Sequence, residues 1–499
     1  MRFIFLFSVF VVATCGLIYE LVASTAASYL LGDSVTQFST VIGVYLFAMG
    51  VGSYFSKYFK TNLLKTFIVV ELLVGVFGGL SSTMLFIGFN FISSFQFFLY
   101  FIVFIIGSLV GLEIPLMLRI LKDRFSFDDL VAKIFSFDYV GALFASLLFP
   151  LVFVPFLGLL KTSYLFGMFN AAIAFFMVDY LRAAPKVKIM LRSSSVIVVL
   201  ILCICFAFSE SILSWSESLA YQEKIIISKS SKYQRIIVTR NNDDIRLYLN
   251  GNLQFSSRDE YRYHESLVYP AVLKNPEAKT VLVLGGGDGL AVRELLKLKH
   301  IQKIVLVDLD DQMIGLFKEN TLLTHLNKNS LNDPKLTIIN KDAFIWLKQN
   351  NIAFDLAIVD FPDPSNYSVG KLYTTTFYKL LYKSLSPNGI AVVQSTSPYF
   401  ASKSFWCINN TIKSVGFLTT PYHSYVPSFG EWGYVLCEKM NAPMHDYKID
   451  TKFFNQAAWI AMKDFPKDMT STITDINKLN NQVLVNLFEH EWAKYAHIQ

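Results

Sequence analysis

Asp360 and Asp363, three residues apart in Val359-Asp360-Phe361-Pro362-Asp363-Pro364, are the sharpest chemical feature of this chain. They follow an apolar run that reads as a strand, and open α/β sheets bind ligands at that end of their strands. The two prolines stiffen the turn and hold both acids in place. Paired acids can bind a metal, but no His or third acid nearby completes an octahedral set. They can instead grip an amine and take its proton. An aliphatic ammonium has a pKa of about 10.4 and is no nucleophile until deprotonated. An acceptor amine therefore needs a base beside it.

A second constellation lies upstream. Val281–Leu284 runs straight into Gly285-Gly286-Gly287-Asp288-Gly289, and a helical pattern follows. This is the strand–turn–helix of a nucleotide-binding fold, where missing side chains let backbone approach a ligand. The G-x-G-x-x-G spacing of a dinucleotide site is absent. Asp288 stands where a pyrophosphate would pack. A carboxylate there repels phosphate and welcomes a cation, such as a sulfonium nucleoside. The next strand, Ile304–Val307, ends in Asp308. That is about 20 residues on, where an acid accepts hydrogen bonds from ribose hydroxyls. Asp342, after the third strand, can meet an adenine amino group or cap a helix. Tyr263 and His264 precede the glycine strand, and from spacing alone His264 reads as a satisfied structural histidine.

These residues need elements to position them. Residues 224–254 alternate polar and apolar, with a hairpin turn at Asn250-Gly251, and predict a small β-region within 211–275. Strands at 281–284, 303–307, 336–339, 355–359, 389–394 and 432–437 alternate with helices. They predict a parallel, doubly wound, Rossmann-like sheet over 276–440. Residues 441–499 read as a helical extension, with an amphipathic stretch over 476–495.

The first 210 residues have another character. The chain is 499 residues long and 53% apolar, and the excess lies at this end. Apolar runs near 3–24, 37–56, 66–88, 97–118, 137–157, 162–181 and 193–210 predict an all-α membrane domain of about seven helices. The first run lacks a small-residue cleavage site, so it is not read as a cleaved signal. Five cysteines form no Cys/His cluster, which argues against zinc and a disulfide framework. The net charge of +6 is modest. Much of it lies in loops between apolar runs, a topology signal and not a nucleic-acid patch.

Nine segments in order identify the soluble half. They are SKYQRI, LYLNGNLQFSSRDEYRYHESLVYPA, VLVLGGGDG, VDLDD, KDAF, VDFPDP, GKLYTTTFYKLL, VVQSTSP and VPSFGEWGYVL, spanning about 220–440. The chain resembles the polyamine aminopropyltransferases of the spermidine synthase family. It is similar to the bacterial form fused behind a multi-span membrane domain. GLIYELVASTAASYLLGDSV and GLEIPLMLRIL match that subfamily less specifically.

The resemblance implies transfer of a 3-aminopropyl group from decarboxylated S-adenosylmethionine to an amine, usually putrescine, giving spermidine and methylthioadenosine. The donor is a co-substrate, and no metal or other cofactor is implied. Asp360 matches the general base and Asp363 an acid that holds amino groups. Tyr263 and His264 match the pair lining the donor and amine channel. Asp288 matches the acid on the donor's aminopropyl ammonium. Gln234 and Gln254 match glutamines near the donor. Asp308 corresponds to the ribose acid, Asp342 to the residue by the adenine, and Gly285, Gly286, Gly287 and Gly289 to the nucleoside turn. The family often forms homodimers.

The charges agree. Ordinary S-adenosylmethionine carries a carboxylate that Asp288 would oppose. At about 4 Å and an effective dielectric of about 20 the repulsion is roughly 4 kcal/mol, which argues against a methyltransferase. Two departures bear on the acceptor. Many soluble members carry two small polar residues between the paired acids, where this chain has Phe361 and Pro362. They often have a tyrosine in the segment matching VPSFGEWG, where this chain has Phe429.

The competing reading is a polyamine transporter or sensor that binds without turnover. Glu20, Glu71, Glu113 and Asp138 within or beside the apolar runs motivate it. The intact Asp360/Asp363 pair favours an enzyme, since a pure binder needs no base. Lys57, Lys60 and Lys65, then Arg119, Lys122, Arg124 and Lys133, then Arg182, Lys186, Lys188 and Arg192 mark three basic loops. The positive-inside rule puts those loops in the cytoplasm and, with seven spans, the catalytic domain outside. Donor supply favours a cytoplasmic domain on the bacterial inner membrane.

Overall fold

In the computed structural model, residues 2–31, 34–92, 94–122, 125–221, 223–445 and 449–495 are described. Arg124 of the second basic loop lies outside them. The chain divides into two compact units, Met1–Glu223 and Lys224–Gln499.

The first unit is all helical: α1 Arg2–Leu31, α2 Ser34–Phe55, α3 Leu63–Phe91, α4 Phe95–Leu121, α5 Phe127–Leu148, α6 Val154–Met177, α7 Pro185–Ala207 and α8 Ser209–Ala220. Small residues let these helices approach closely, the usual device where no water drives association. A Cβ on Gly52 of α2 would stand 1.9 Å from the Ser108 carbonyl oxygen of α4, and one on Gly111 of α4 2.2 Å from that of Met49.

Among the described residues, six helices are long and apolar enough to cross a membrane, counted by length and composition, where the sequence predicted about seven. The expected segments 137–157 and 162–181 belong to one run, Phe127–Tyr180. That run is not straight. Gly158 sits at φ 74° and ψ 176°, outside helical space. Phe153 and Phe166, on either side of it, have ring centroids 5.0 Å apart. A straight helix would separate them by about 20 Å, so the chain folds back at Gly158. Thr162 Oγ1 donates to the Gly158 carbonyl at 2.6 Å and satisfies an acceptor at the break. The expected boundary near residue 210 is also displaced. Helix α8 belongs to the first unit, where Asn90 Nδ2 donates to the Ser216 carbonyl at 3.1 Å.

The second unit begins with a four-stranded antiparallel sheet: β1 Lys224–Ser230, β2 Arg235–Asn241, β3 Asp244–Leu249 and β4 Asn252–Ser256. Asn250 and Gly251 make the β3–β4 turn with φ 49° and 82°, as two-residue hairpins prefer. Helix α9 (Glu260–Lys274) leads into the main sheet. There follow β5 Thr280–Gly285, α10 Leu290–Leu296, β6 Lys303–Asp308, α11 Asp311–Glu319, α12 Thr321–Leu326, β7 Leu336–Asn340, α13 Ala343–Gln349, β8 Phe354–Asp360, β9 Leu385–Gln394, β10 Leu418–Val426 and β11 Gly430–Glu438. The order across the sheet is β10-β11-β9-β8-β5-β6-β7.

Continuous apolar runs suit strands covered on both faces. Val281 and Val283 of β5 pack into one buried cluster, Leu282 and Leu284 into another. The sequence predicted a parallel sheet, but the observed sheet is mixed. β10 pairs antiparallel with β11, and β11 antiparallel with β9. Strand β10 carries Pro421 and mixed polarity, tolerable only at the sheet edge it occupies. Among its described residues the expected helical extension is mostly irregular, with α-helices only at Gln456–Met462 and Val483–Trp492 and a short 3-10 turn at Lys467–Met469. Side chains anchor it instead. Glu265 accepts from the amides of Lys452, Phe453 and Phe454 at 2.8, 2.8 and 2.9 Å.

Candidate active site

Strands β5 and β8 are neighbours, and Gly285 pairs with Asp360 at their carboxyl ends. From β5 the chain builds β6 and β7 to one side, then β8 and β9 to the other. Such a switch point opens a crevice at the strand ends. Glycine is required to form it. A Cβ on Gly285, at φ +79°, would stand 2.1 Å from the Asp360 carbonyl oxygen. One on Gly286, at φ +68°, would stand 3.1 Å from Asp360 Oδ2. The Gly287 amide donates to Asp308 Oδ2 at 3.1 Å, and the Gly289 carbonyl accepts from Ser330 Oγ at 2.7 Å.

Four carboxylates stand at these strand ends. Asp360 closes β8 and accepts a 2.5 Å hydrogen bond from the Tyr263 hydroxyl on α9. Asp363 accepts from Gln394 Nε2 at 3.3 Å. Asp288 accepts from the Leu290 amide at 2.9 Å as α10 begins. Asp308 closes β6 and accepts from the Asp310 amide at 2.9 Å. Burial pushes all four up. Asp288 rises to about 6 by burial, then by the Asp360 charge, against the pull of His264. Asp308 rises to about 6 and Asp363 to about 7, chiefly by burial. Asp360 is raised by burial, opposed by His264 and the Tyr263 hydrogen bond. Among the described residues no Lys or Arg pairs with any of the four.

The positive charge felt by Asp288 and Asp360 is that of His264, 2% exposed. Burial pulls its pKa down, but Glu260 outweighs burial and holds it near about 9. His264 Nδ1 lies 2.8 Å from Glu260 Oε2. Glu260 in turn receives both Arg293 terminal nitrogens at 2.8 Å. Burial would raise Glu260, but His264 and Arg293 bring it to about 2. This buried charge network ties α9 to α10, and the sequence reading missed it. Its signal was present as Glu260, four residues before His264 on one helix face.

Gln234 also reaches this edge, donating from Nε2 to Asp310 Oδ2 at 2.8 Å. Two candidates turn elsewhere. Gln254 Nε2 donates to the Asn252 carbonyl of its own strand at 3.1 Å. Asp342, beyond β7, caps α13 through Phe344 N at 2.8 Å and pairs with Lys371 at 2.6 Å. Further polar groups around Asp363 were not singled out. Gln394 Nε2 donates to the Phe361 carbonyl at 2.6 Å and its Oε1 accepts from the Thr396 amide at 2.6 Å. Thr396 holds φ 58°, a costly conformation for a β-branched residue and typical of ligand sites. The polar run VVQSTSP at the end of β9 was the available signal.

An aromatic wall completes the site. The Tyr263 ring packs against Phe429, Trp432 and Tyr434 with centroids 6.0, 6.5 and 5.6 Å away. Carboxylates beside an aromatic wall suit a ligand with several positive charges and an aliphatic stem. A carboxylate raised by burial can also take a proton.

Comparison with known proteins points the same way. A family model for the spermine/spermidine synthase domain matches residues 260–448. A polyamine aminopropyltransferase of Leptospira interrogans serogroup Icterohaemorrhagiae serovar copenhageni is 50% identical over 488 residues, 98% of each chain. Polyamine aminopropyltransferase 2 of Ralstonia nicotianae is 49% identical over 97% of each. A solved spermidine synthase in complex with the transition state analogue AdoDATO aligns with a TM-score of 0.46 and 24% identity, covering 54% of this chain and 89% of that one. The identity holds along the helical unit as well as the sheet, and so the chain as a whole belongs to the polyamine aminopropyltransferases of the spermidine synthase family.

Proposed function

We propose that this aminopropyltransferase moves the 3-aminopropyl group from decarboxylated S-adenosylmethionine to putrescine. The observation that carries the reading is the Asp360/Asp363 pair beside Asp288, without a Lys or Arg partner. Asp308 and Gln234 would face the ribose side of the donor, with the glycine turn below it. Gln254 and Asp342 would join the donor only after leaving their present partners. Asp288 would hold the donor ammonium, Tyr263 and His264 would line the channel, and Asp363 would hold an acceptor ammonium.

In the transfer step the acceptor nitrogen attacks the carbon beside the sulfonium. The N–C bond forms as the C–S bond breaks, and the electron pair leaves on sulfur as a neutral thioether. Asp360 takes the proton that the acceptor ammonium loses. No covalent enzyme intermediate is required, so positioning and deprotonation supply most of the acceleration.

The test is transfer from labelled donor to putrescine, cadaverine, 1,3-diaminopropane and spermidine, read as methylthioadenosine and product amine. Putrescine should give the highest kcat/KM. Equal or higher kcat/KM with another amine would overturn the acceptor assignment and leave transfer chemistry intact.

The six apolar helices support insertion in the bacterial cell membrane, with lipid as a partner. Donor supply favours a cytoplasmic catalytic unit. The three basic loops and the fold-back at Gly158 support the opposite side. A reporter fused to the C-terminus decides between them, and cross-linking in native membranes tests the expected homodimer.

A further inference from the structure

Aminopropyl transfer makes no use of the acids inside the helical unit. Glu20 lies on α1, Glu71 on α3, Glu113 on α4 and Asp138 on α5. A cavity of about 180 Å³ opens between these helices, and Glu20, Glu113 and Asp138 line it. The rest of the lining is almost wholly apolar, with Val12, Met49, Val110 and Ala142 typical of it, and no Lys, Arg or His contributes.

Glu113 is 3% exposed, and its Oε1 has no hydrogen-bond partner. Glu71, fully buried, lies beside it. Glu71 is held from behind. Asn170 Nδ2 donates to its Oε2 at 2.7 Å, and the Tyr19 hydroxyl fixes Asn170 by donating to Oδ1 at 2.6 Å. Tyr45, also lining the cavity, spends its hydroxyl on the Gly16 carbonyl at 2.7 Å and offers Glu113 no donor. Glu113 thus shares a side-chain hydrogen bond with Glu71 and leaves its Oε1 without a donor, on a wall that apolar side chains share. At such depth an ionised carboxylate is unfavourable, so Glu113 holds a proton until a cation meets it.

We propose that this cavity is a binding site for a linear aliphatic diammonium ion. Its chemistry matches both parts of such a ligand: carboxylates for the charged ends, aliphatic side chains for the methylene stem. The size also fits. An apolar cavity of about 150 Å³ holds benzene, six heavy atoms, and butane-1,4-diammonium has six as well. A metal ion fits poorly, because among the described residues no three His, Cys, Asp or Glu side chains converge as ligands. The inference rests on the helical unit alone and is independent of which amine the catalytic site accepts.

The experiment is equilibrium binding of radiolabelled putrescine to the full chain in lipid nanodiscs. Asp360→Asn and Asp363→Asn are present to weaken acceptor binding at the catalytic site. Saturable binding should persist in that background. Glu113→Gln and Asp138→Asn should each weaken it at least tenfold. Ala142→Leu, which fills the cavity and leaves every charge in place, should do the same. Butylamine, with one charge, should compete at least tenfold less well. With Asp360 and Asp363 intact, Glu113→Gln should transfer aminopropyl groups at the wild-type rate, which also reports a folded protein. Absence of saturable binding in the double variant would overturn the proposal. So would binding untouched by Ala142→Leu, or competition by Na⁺ or butylamine equal to that of putrescine. Should Glu113→Gln fail to fold, Ala142→Leu decides alone. Failure of the acceptor assignment would appear in the transfer assay and leave this readout standing.

Discussion

Asp360 is the residue on which the proposed chemistry turns. Asp360→Asn keeps the shape and removes the base, so turnover should fall by about 10²–10⁴-fold with donor affinity largely retained. Wild-type turnover by the purified variant would refute the assignment. The neighbouring acids predict a pH dependence. Asp288 and Asp308 titrate at about 6 and Asp363 at about 7. An unfolded Asp titrates near 3.9, at about 4. The folded state therefore binds more protons between those values. This contribution to stability is full below about pH 4 and is lost as pH rises through the folded pKa values. A bound cation reverses it by favouring the ionised forms. The rise in thermal midpoint produced by donor or diamine should therefore grow from about pH 5 to about pH 8, with proton release on binding in calorimetry. A ligand-induced shift independent of pH would show that these carboxylates do not face the cations.

At the scale of elements, the α9–α10 network is the most exposed to substitution. Glu260→Gln removes a buried charge that both Arg293 and His264 use. Arg293 keeps Glu294 at 3.0 Å, so the loss of stability should lie near about 3 kcal/mol, the lower part of the range for broken buried pairs. Thermal unfolding of the full chain measures it, and an unchanged midpoint would mean the network contributes nothing net. Legibility in the sequence followed local pattern. The runs of β5, β6 and β8 and the Asn250-Gly251 turn announce themselves through residue type. Asp288, Asp308, Asp360 and Asp363 could be read because each ends or follows such a strand. Strand β10 could not, because its Pro421 and mixed polarity match an edge, and being an edge is a property of the assembled sheet. Glu260–Arg293 and Gln394–Asp363 were hidden for a related reason. They join positions far apart in sequence, and no spacing rule reaches across them.

At the scale of the whole molecule, the two units follow different rules of assembly. The sheet unit buries continuous apolar strands. The helical unit relies on backbones brought together by glycine. Gly111→Val would drive a side chain into the Met49 carbonyl, only 2.2 Å from where the first added carbon would stand. Helices α2 and α4 would have to part, and the detergent-solubilised protein should unfold at clearly lower temperature. An unaltered midpoint would show that this contact is slack. The count of apolar segments was legible only in part. Hydropathy located the run that ends at Tyr180, but one backbone angle at Gly158 decides whether it is one helix or a folded pair.

The carboxylate cluster at the sheet edge also bears on turnover after the chemical step. In the reaction proposed above, donor and diamine arrive sharing the positive charge between them. The thioether departs neutral, and the lengthened polyamine keeps an additional ammonium. A site built from Asp288, Asp360 and Asp363 would hold that product by electrostatics while its nucleoside partner lost its strongest grip. Departure of the polyamine should then limit steady-state cycling. Product inhibition by the polyamine should weaken as ionic strength rises from about 0.01 to about 0.15 M, because screening shortens from about 30 Å to about 8 Å. Inhibition insensitive to salt would mean that the aromatic wall, and not charge, retains the product.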